Sequence, residues 1–383
     1  MLYKLESWRG MAAIAVVLFH SPFNYYNDKI SFINNSYLFV DLFFILSGFV
    51  MSFVYTAKIR EGGLSFLEFS FLRLARLYPL HLFMLLSWLI YLLTKELFFQ
   101  QFAIGSPQFS PETNNNLVSF FKHLFLLNGI FPSTPLSWNG PSWSISVEFF
   151  TYIIFYLFVI STPKKSLMIP LIFSILFYMA LFLLKTGFLE ISIGTEIVRC
   201  LAGFSLGIYI HRLKQLKEQK LKTKNEKKLN VYVLEIFSIS LLCTSITLSG
   251  NIIFEFISIL SMGIIIYVFS DKNSGSVGKV LETKYLKLIG KWSFSIYMVH
   301  SLVISVHKVI ADILFPIGYN NLSGYITVII NFSILVMTIL VSIFTFKFIE
   351  DKFRNKSKET NLKKILTKAP ILKNSKKTTC SKL

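Results

Sequence analysis

Arg9-Gly10-Met11-Ala12-Ala13-Ile14-Ala15-Val16-Val17-Leu18-Phe19-His20 and, after a short connection, Val40-Asp41-Leu42-Phe43-Phe44-Ile45-Leu46-Ser47-Gly48-Phe49 decide how this chain is read. Both runs are apolar enough for lipid, yet they carry an arginine, a histidine and an aspartate. Ionisable side chains are costly inside a bilayer and persist where they face a cavity, a partner or a ligand. The two runs are therefore read as a helical hairpin that holds the functional site.

The rest of the chain repeats the pattern. Its 383 residues are 54% hydrophobic with a mean hydropathy of +0.59, too apolar for a soluble domain of this length. Apolar runs lie near 5–23, 37–56, 77–98, 141–162, 166–184, 196–211, 231–249, 252–270, 291–311 and 323–347. Crossing about 30 Å of hydrocarbon takes roughly 20 helical residues. The fold class is all-α: a polytopic membrane protein with about ten transmembrane helices.

A net charge of +19 in a soluble protein would suggest nucleic acid. Here the basic residues sit between apolar runs. With the N-terminus inside, all of the 39 Lys and Arg except Lys29, Lys95, Lys122, Lys185, Arg199 and Lys308 fall in inner segments. This is the positive-inside asymmetry, so both termini are read as cytoplasmic, in a multi-pass protein of the inner membrane with no nucleic-acid partner. Cys200, Cys243 and Cys380 are scattered and have neither disulfide nor metal-ligand spacing, so no metal is expected. No small-x-small cleavage site follows Ser21-Pro22, and the first helix is read as retained. Residues 1–349 form the membrane domain. Residues 350–383 are Lys-, Ser-, Thr- and Asn-rich and are expected to be a disordered cytoplasmic tail near anionic headgroups. The longest outer connection, about 98–140, holds an amphipathic stretch, Leu117 to Phe131, too short to cross. It reads equally as a lid or acceptor-binding surface and as a plain interfacial loop.

Within this frame His20 lies about 16 Å along the first helix from Arg9. Asp41, near the outer start of the second helix, reaches a similar depth, and a carboxylate beside an imidazole orients a general base. Ser47 and Gly48 permit close helix packing or close passage of a ligand. Arg73 and Arg76, three apart before Tyr78-Pro79, suit phosphate oxygens or membrane anchoring. Glu148, after Trp143-Ser144-Ile145-Ser146, is read in the same outer half as His20 and Asp41, or as paired with Arg199 or a buried tyrosine. Ser293, Tyr297, His300 and His307 form a polar stripe on the ninth helix that either lines the site or bonds across helices.

At these residues the sequence resembles the membrane acyltransferase-3 family, which includes O-antigen and exopolysaccharide O-acetyltransferases. The resemblance rests on Arg9-Gly10-Met11-Ala12 running to His20; Val40 to Phe44 with Ser47-Gly48-Phe49; Arg73, Arg76, Tyr78 and Pro79; Trp143 to Glu148; Arg199 to Gly207; and Gly290-Lys291-Trp292-Ser293 running to Tyr297 and His300. The family's usual Leu-Asp-Gly-Leu-Arg-Gly opening reads Leu5-Glu6-Ser7-Trp8-Arg9-Gly10 here. With only a basic tail after the tenth helix, the chain is expected to be a short form lacking an esterase-like domain.

The resemblance implies transfer of an acyl group, most often acetyl, from cytoplasmic acyl-CoA to a hydroxyl of a surface glycan or its lipid-linked precursor. His20 is then the catalytic base, oriented by Asp41, with Glu148 positioning acceptor or base. Arg9, Arg73 and Arg76 serve donor binding or site integrity, Ser47 and Gly48 are placed with them at the donor, and Trp143, Tyr297 and His300 line the site. No base is evident beside Ser47 in the sequence, which favours direct transfer over an acyl-enzyme. Two alternatives stay open: a transporter or flippase of glycan precursors, and an acyltransferase acting on a lipid or other non-glycan hydroxyl.

Overall fold

A computed structural model describes residues 2–21, 30–102, 105–131, 136–163, 166–184, 194–223, 230–314 and 324–355. The basic tail beyond residue 355 and the segments carrying Lys29, Lys164, Lys165, Lys185 and Lys224 to Lys228 lie outside the described residues. Among those described, every regular element is helical. Ten long helices follow in order: α1 (Tyr3–His20), α2 (Phe39–Arg60), α3 (Phe66–Phe102), α4 (Trp143–Ser161), α5 (Met168–Leu183), α6 (Glu196–Thr223), α7 (Val231–Thr247), α8 (Ile252–Phe269), α9 (Lys284–Leu314) and α10 (Gly324–Thr345). Each of the ten apolar runs coincides with one of them. Six segments are long and apolar enough to cross a membrane by length and composition: 31–60, 66–102, 140–161, 252–269, 284–314 and 324–355.

The helices that fall short do so for physical reasons. α5 and α7 are apolar but shorter. α1 carries Lys4, Glu6 and Arg9, and α6 carries Glu196, Arg199 and Arg212, charges that the bundle encloses. Lys4 is buried and donates to Asn273 O at 2.7 Å. By contrast α3 and α10 expose Ile90, Leu97, Phe332 and Leu340, the lipid-compatible surface of a membrane bundle.

Two helix pairs carry the core, α2 on α6 and α1 on α9. Both meet backbone to backbone through glycine. A Cβ on Gly207 would lie 2.0 Å from Ile45 O, and one on Gly48 2.0 Å from Phe204 O. Between α1 and α9, a Cβ on Gly290 would lie 2.3 Å from Glu6 O. Small residues of this kind allow helices without a hydrophobic driving force between them to pack by close contact. Gly48 is thereby a packing residue and does not line the cavity between α1, α2, α3, α4 and α9.

The α2–α6 contact is sealed by charge. Arg199 donates from Nη2 to Asp41 Oδ2 at 2.6 Å and from Nε to both carboxylate oxygens at 3.2 Å. Asp41 has no exposed surface and Arg199 almost none. Asp41 is thus occupied by Arg199 and not by His20, because a buried carboxylate takes the nearest full positive charge.

α3 begins at Phe66, well before Tyr78-Pro79, and runs through Pro79, so Arg73 and Arg76 sit inside it. The described part of the 98–140 connection is tied to α4 at Ser146. Its short helix Leu117–Leu124 opens on a reciprocal Asn116–Ser119 cap, and Ser146 takes the Gly129 N–H at 3.0 Å. Beyond α10 a wide helical turn, Phe346–Glu350, returns Glu350 to the interior, where it accepts from Ser295 at 3.0 Å.

Removing one partner of the Asp41–Arg199 pair leaves the other charge buried alone, which costs about 3–5 kcal/mol. Asp41→Asn and Arg199→Gln are each expected to lower the thermal unfolding midpoint in detergent sharply. The double variant should lose less than the sum of the two. Additive losses would mean that the pair does not couple α2 to α6.

Candidate functional site

Between α1, α2, α3, α4 and α9 lies a cavity of about 900 Å³. It runs from the end of the bundle that carries Tyr3, here the Tyr3 end, toward the end that carries His20. Arg9, Arg73 and Arg76 line it, joined by Lys58, Lys291 and Arg354 around the Tyr3 end; Ser47, Glu148 and Tyr152 stand deeper, and Phe43, Ser144 and Tyr297 bound the far end. The chain termini of several helices converge there, which is why basic residues from distant parts of the sequence share one space.

Arg9 is held by α9, with Nε donating to Ser293 Oγ at 2.7 Å and Nη2 to Gly290 O at 3.3 Å. Arg73 donates to the Tyr55 hydroxyl and lies over that ring, 4.5 Å from its centroid. Arg76 makes no hydrogen bond or ion pair among the described residues, although the Glu350 and Glu148 carboxylates act on it through space. A half-buried, unbonded guanidinium in a cavity is a ready site for an anion.

Glu148 is held by two hydroxyls. Ser47 Oγ donates to its Oε1 at 2.6 Å and Tyr152 to the same oxygen at 2.5 Å. The carboxylate thus takes the buried tyrosine as partner and belongs to the cavity with the arginines, not to a cluster with His20. This also places a base beside Ser47 that was not evident from sequence. Trp143 packs in the core, edge-on to Phe44 at 6.1 Å, and does not line the cavity; Ser144 and Ile145 from that stretch do.

His20 and Asp41 are also outside the cavity lining. His20 ends α1, accessible on one side, with Nδ1 2.9 Å from Val16 O. Its ring lies 5.0 Å from that of His300. Tyr297 stands one turn before His300 on α9, its ring 5.7 Å from His300 and 5.7 Å from Phe43. The Tyr297 hydroxyl donates to Pro141 O at 3.2 Å and accepts from Ser144 at 3.0 Å. Tyr297 and Phe43 therefore form a wall with the cavity on one side and the two histidines on the other. His307, the last member of the stripe, lines a separate apolar groove between α3, α9 and α10.

The sequence reading passed over Tyr55, Tyr152, Lys291, Glu350 and Arg354. Tyr152 had a local signal, four residues after Glu148 and so on its helix face. Glu350 and Arg354 had none, since they follow the last apolar run and look like the start of a tail. Among the described residues no cluster of His, Cys, Asp or Glu could hold a metal ion.

A protein of Bacillus subtilis (strain 168), YrhL, described as a candidate peptidoglycan O-acetyltransferase, is 24% identical over 335 residues, 82% of this chain and 50% of its own length. Protein 2 in the picA locus of Rhizobium radiobacter is 44% identical over 77 residues, 20% of this chain and 38% of its own. The chain thus spans half or less of each of these relatives. No solved structure gives a significant match. The acyltransferase-3 family model, described as an acyltransferase domain, matches residues 2–347, and the chain belongs to that family of acyltransferases.

Proposed function

We propose that the protein is an integral-membrane O-acyltransferase that moves an acyl group, most simply acetyl, from cytoplasmic acyl-CoA to a hydroxyl of a cell-envelope glycan or its lipid-linked precursor. The Tyr3 end faces the cytoplasm, in keeping with the distribution of Lys and Arg, and all ten helices span the inner membrane. What carries this function is the cavity: it opens where the cations gather, and it holds Arg76 without a hydrogen-bonded partner among the described residues.

The phosphates of the donor sit on Arg9, Arg73 and Arg76, with Lys58, Lys291 and Arg354 toward the opening. Guanidinium forks match phosphate oxygens, and the half-buried setting strengthens them relative to water. The pantetheine arm runs past Ser47 and Glu148 to the wall at Tyr297, so these two residues shape the donor channel. His20, beyond the wall, takes the proton of the acceptor hydroxyl, and the resulting oxygen nucleophile attacks the thioester carbonyl as Tyr297 gives way. The carbon–sulfur bond breaks and the CoA thiolate leaves through the cavity, taking up the proton that His20 accepted. Asp41 supports this site indirectly, by fixing α2 on α6. The naming of YrhL after peptidoglycan O-acetylation supports an envelope glycan as acceptor.

A second route is raised by one contact, Ser47 Oγ on Glu148 Oε1 at 2.6 Å. Ser47 would attack the thioester with Glu148 as base and hold the acyl group until the acceptor arrives. Incubation with labelled acetyl-CoA in the absence of acceptor separates the two routes: direct transfer leaves Ser47 unlabelled, and an acyl-enzyme leaves a mass increment on its peptide.

In cells, His20→Ala is expected to abolish ester-linked acyl groups on the envelope glycan while the glycan is still exported, as read by mass spectrometry. Unchanged acylation in that variant would rule out His20 as the base, and loss of export would favour transport. In membranes supplied with labelled acetyl-CoA, Arg76→Ala should raise the donor KM by about ten- to a hundredfold, the loss of a charged hydrogen bond worth roughly 1.5–3 kcal/mol, with a smaller change in kcat. An unchanged KM would remove Arg76 from the donor site.

A further inference from the structure

α3, α9 and α10 enclose a second space of about 360 Å³, separate from the cavity that holds the arginines. Phe83, Val306 and Met337 line it and are exposed on the outside of the bundle, so it is a groove open to lipid. Each polar side chain in its lining bonds to its own helix: Ser87 donates to Phe83 O at 2.8 Å, His307 Nδ1 lies 2.9 Å from Val303 O, and Thr345 donates to Val341 O at 3.1 Å. What the groove offers an occupant is hydrocarbon. Just beyond it, toward the His20 end, the Tyr91 hydroxyl donates to Ser305 O at 3.1 Å and ties α3 to α9. Lys95 Nζ lies over the Tyr91 ring, 5.6 Å from its centroid. Lys308, next to His307, acts on Lys95 through space, as does Asp312. Lys95 and Lys308 are two of the six basic residues outside the inner segments. Asp312 offsets one of them, which leaves a positive charge at the end of an apolar groove.

Resting on acyl transfer to a lipid-linked precursor rather than to finished glycan, we propose that this groove seats the lipid of the acceptor, with a polyprenyl chain in the groove and its phosphate on Lys95 and Lys308. The surface has the same order as such a molecule, hydrocarbon toward the middle of the bundle and positive charge at its end. Lysines beside a lipid phosphate are favourable, and the phosphate relieves the repulsion between the two cations. A groove of this volume takes one chain rather than the two of a phospholipid. It also shares two helices with the histidine end. Val299 and Val303, which line it, lie on either side of His300 along α9, and the His300 ring is 5.0 Å from that of His20. On α10, Asn331 accepts from Ser21, the residue after His20, and Met337 follows less than two turns later. Anchoring the acceptor beside α9 and α10 raises the effective concentration of its hydroxyls at His20.

The test reads lipid retention on the full chain in detergent by native mass spectrometry, with a polyprenyl monophosphate, phosphatidylglycerol and inorganic phosphate as separate probes. The wild type should retain the polyprenyl phosphate in preference to phosphatidylglycerol. The double variant Lys95→Gln/Lys308→Gln and, independently, Val306→Trp should each weaken that retention by about tenfold or more, with unfolding midpoints near that of the wild type. If Val306→Trp lowers the midpoint, Val306→Phe is read in its place against the same outcomes. Equal retention of phosphatidylglycerol, or unchanged retention in either variant, would overturn the assignment and make the groove ordinary lipid-facing surface. Displacement of the lipid by inorganic phosphate with no effect of Val306→Trp would overturn it too, in favour of a site for free phosphate. These readings do not depend on turnover. Full glycan ester in His20→Ala would overturn the underlying transfer reading instead, and the binding outcomes decide the groove separately.

Discussion

The contact of Asp41 with Arg199 is the constraint on which the rest of the bundle depends. A carboxylate with no exposed surface is tolerable only beside a charge that neutralises it, and the guanidinium that does so stands on the helix whose glycine admits α2 at backbone distance. Close approach and ion pairing require each other. A side chain at Gly48 or Gly207 would collide with the facing backbone and push the helices apart, and without the pair the close contact would leave a bare charge in an apolar interior. α2 is also the helix that brings Phe43 and Ser47 to the cavity, so the position of both follows from this one seam.

With Asp41 committed, the candidate site residues that carry charge or titrate fall into three separate groups. Arg9, Arg73, Arg76 and Glu148 share the cavity, Asp41 and Arg199 share the seam, and His20 and His300 share the opposite end. Sequence placed His20, Asp41 and Glu148 together because all three lie in the same half of their helices. Depth along a helix is fixed by counting residues, but the direction a side chain takes around that helix is not. Asp41 and Glu148 are at comparable depth and turn to different neighbours, one to α6 and the other to α2.

That distinction also marks what was legible in the sequence. The all-helical character was, since apolar length is a property of the chain itself, and six segments are long and apolar enough to cross a membrane. The gathering of Arg9, Arg73 and Arg76 was, because all three lie near the same end of the bundle. The Ser47–Glu148 contact was not, as it joins residues from α2 and α4 whose facing surfaces depend on how three other helices pack. Nor was the pairing of His300 with His20, although both had been singled out. His20 was given Asp41 as its partner and His300 was read as lining the site or bonding across helices, whereas the two rings lie 5.0 Å apart. Glu350 was hidden for a further reason: the turn that returns it to the interior follows the last apolar run, where a sequence reading stops looking for the bundle.

The wall of Tyr297 and Phe43 gives the separation of these groups a chemical sense. A thioester that lay open from one face of the membrane to the other would meet water from both sides, and a hydroxyl activated by a histidine would compete with water for it. Excluding water from the reacting centre suppresses hydrolysis and strengthens the electrostatic contacts on either side of it. Tyr297 is suited to that task because its ring bounds the end of the cavity while its hydroxyl is tied to Ser144 in the first turn of α4 and to Pro141 just before that helix. On that view the donor channel and the histidine pair are kept apart in the resting protein by design of the packing, and motion of one tyrosine is the smallest change that would join them.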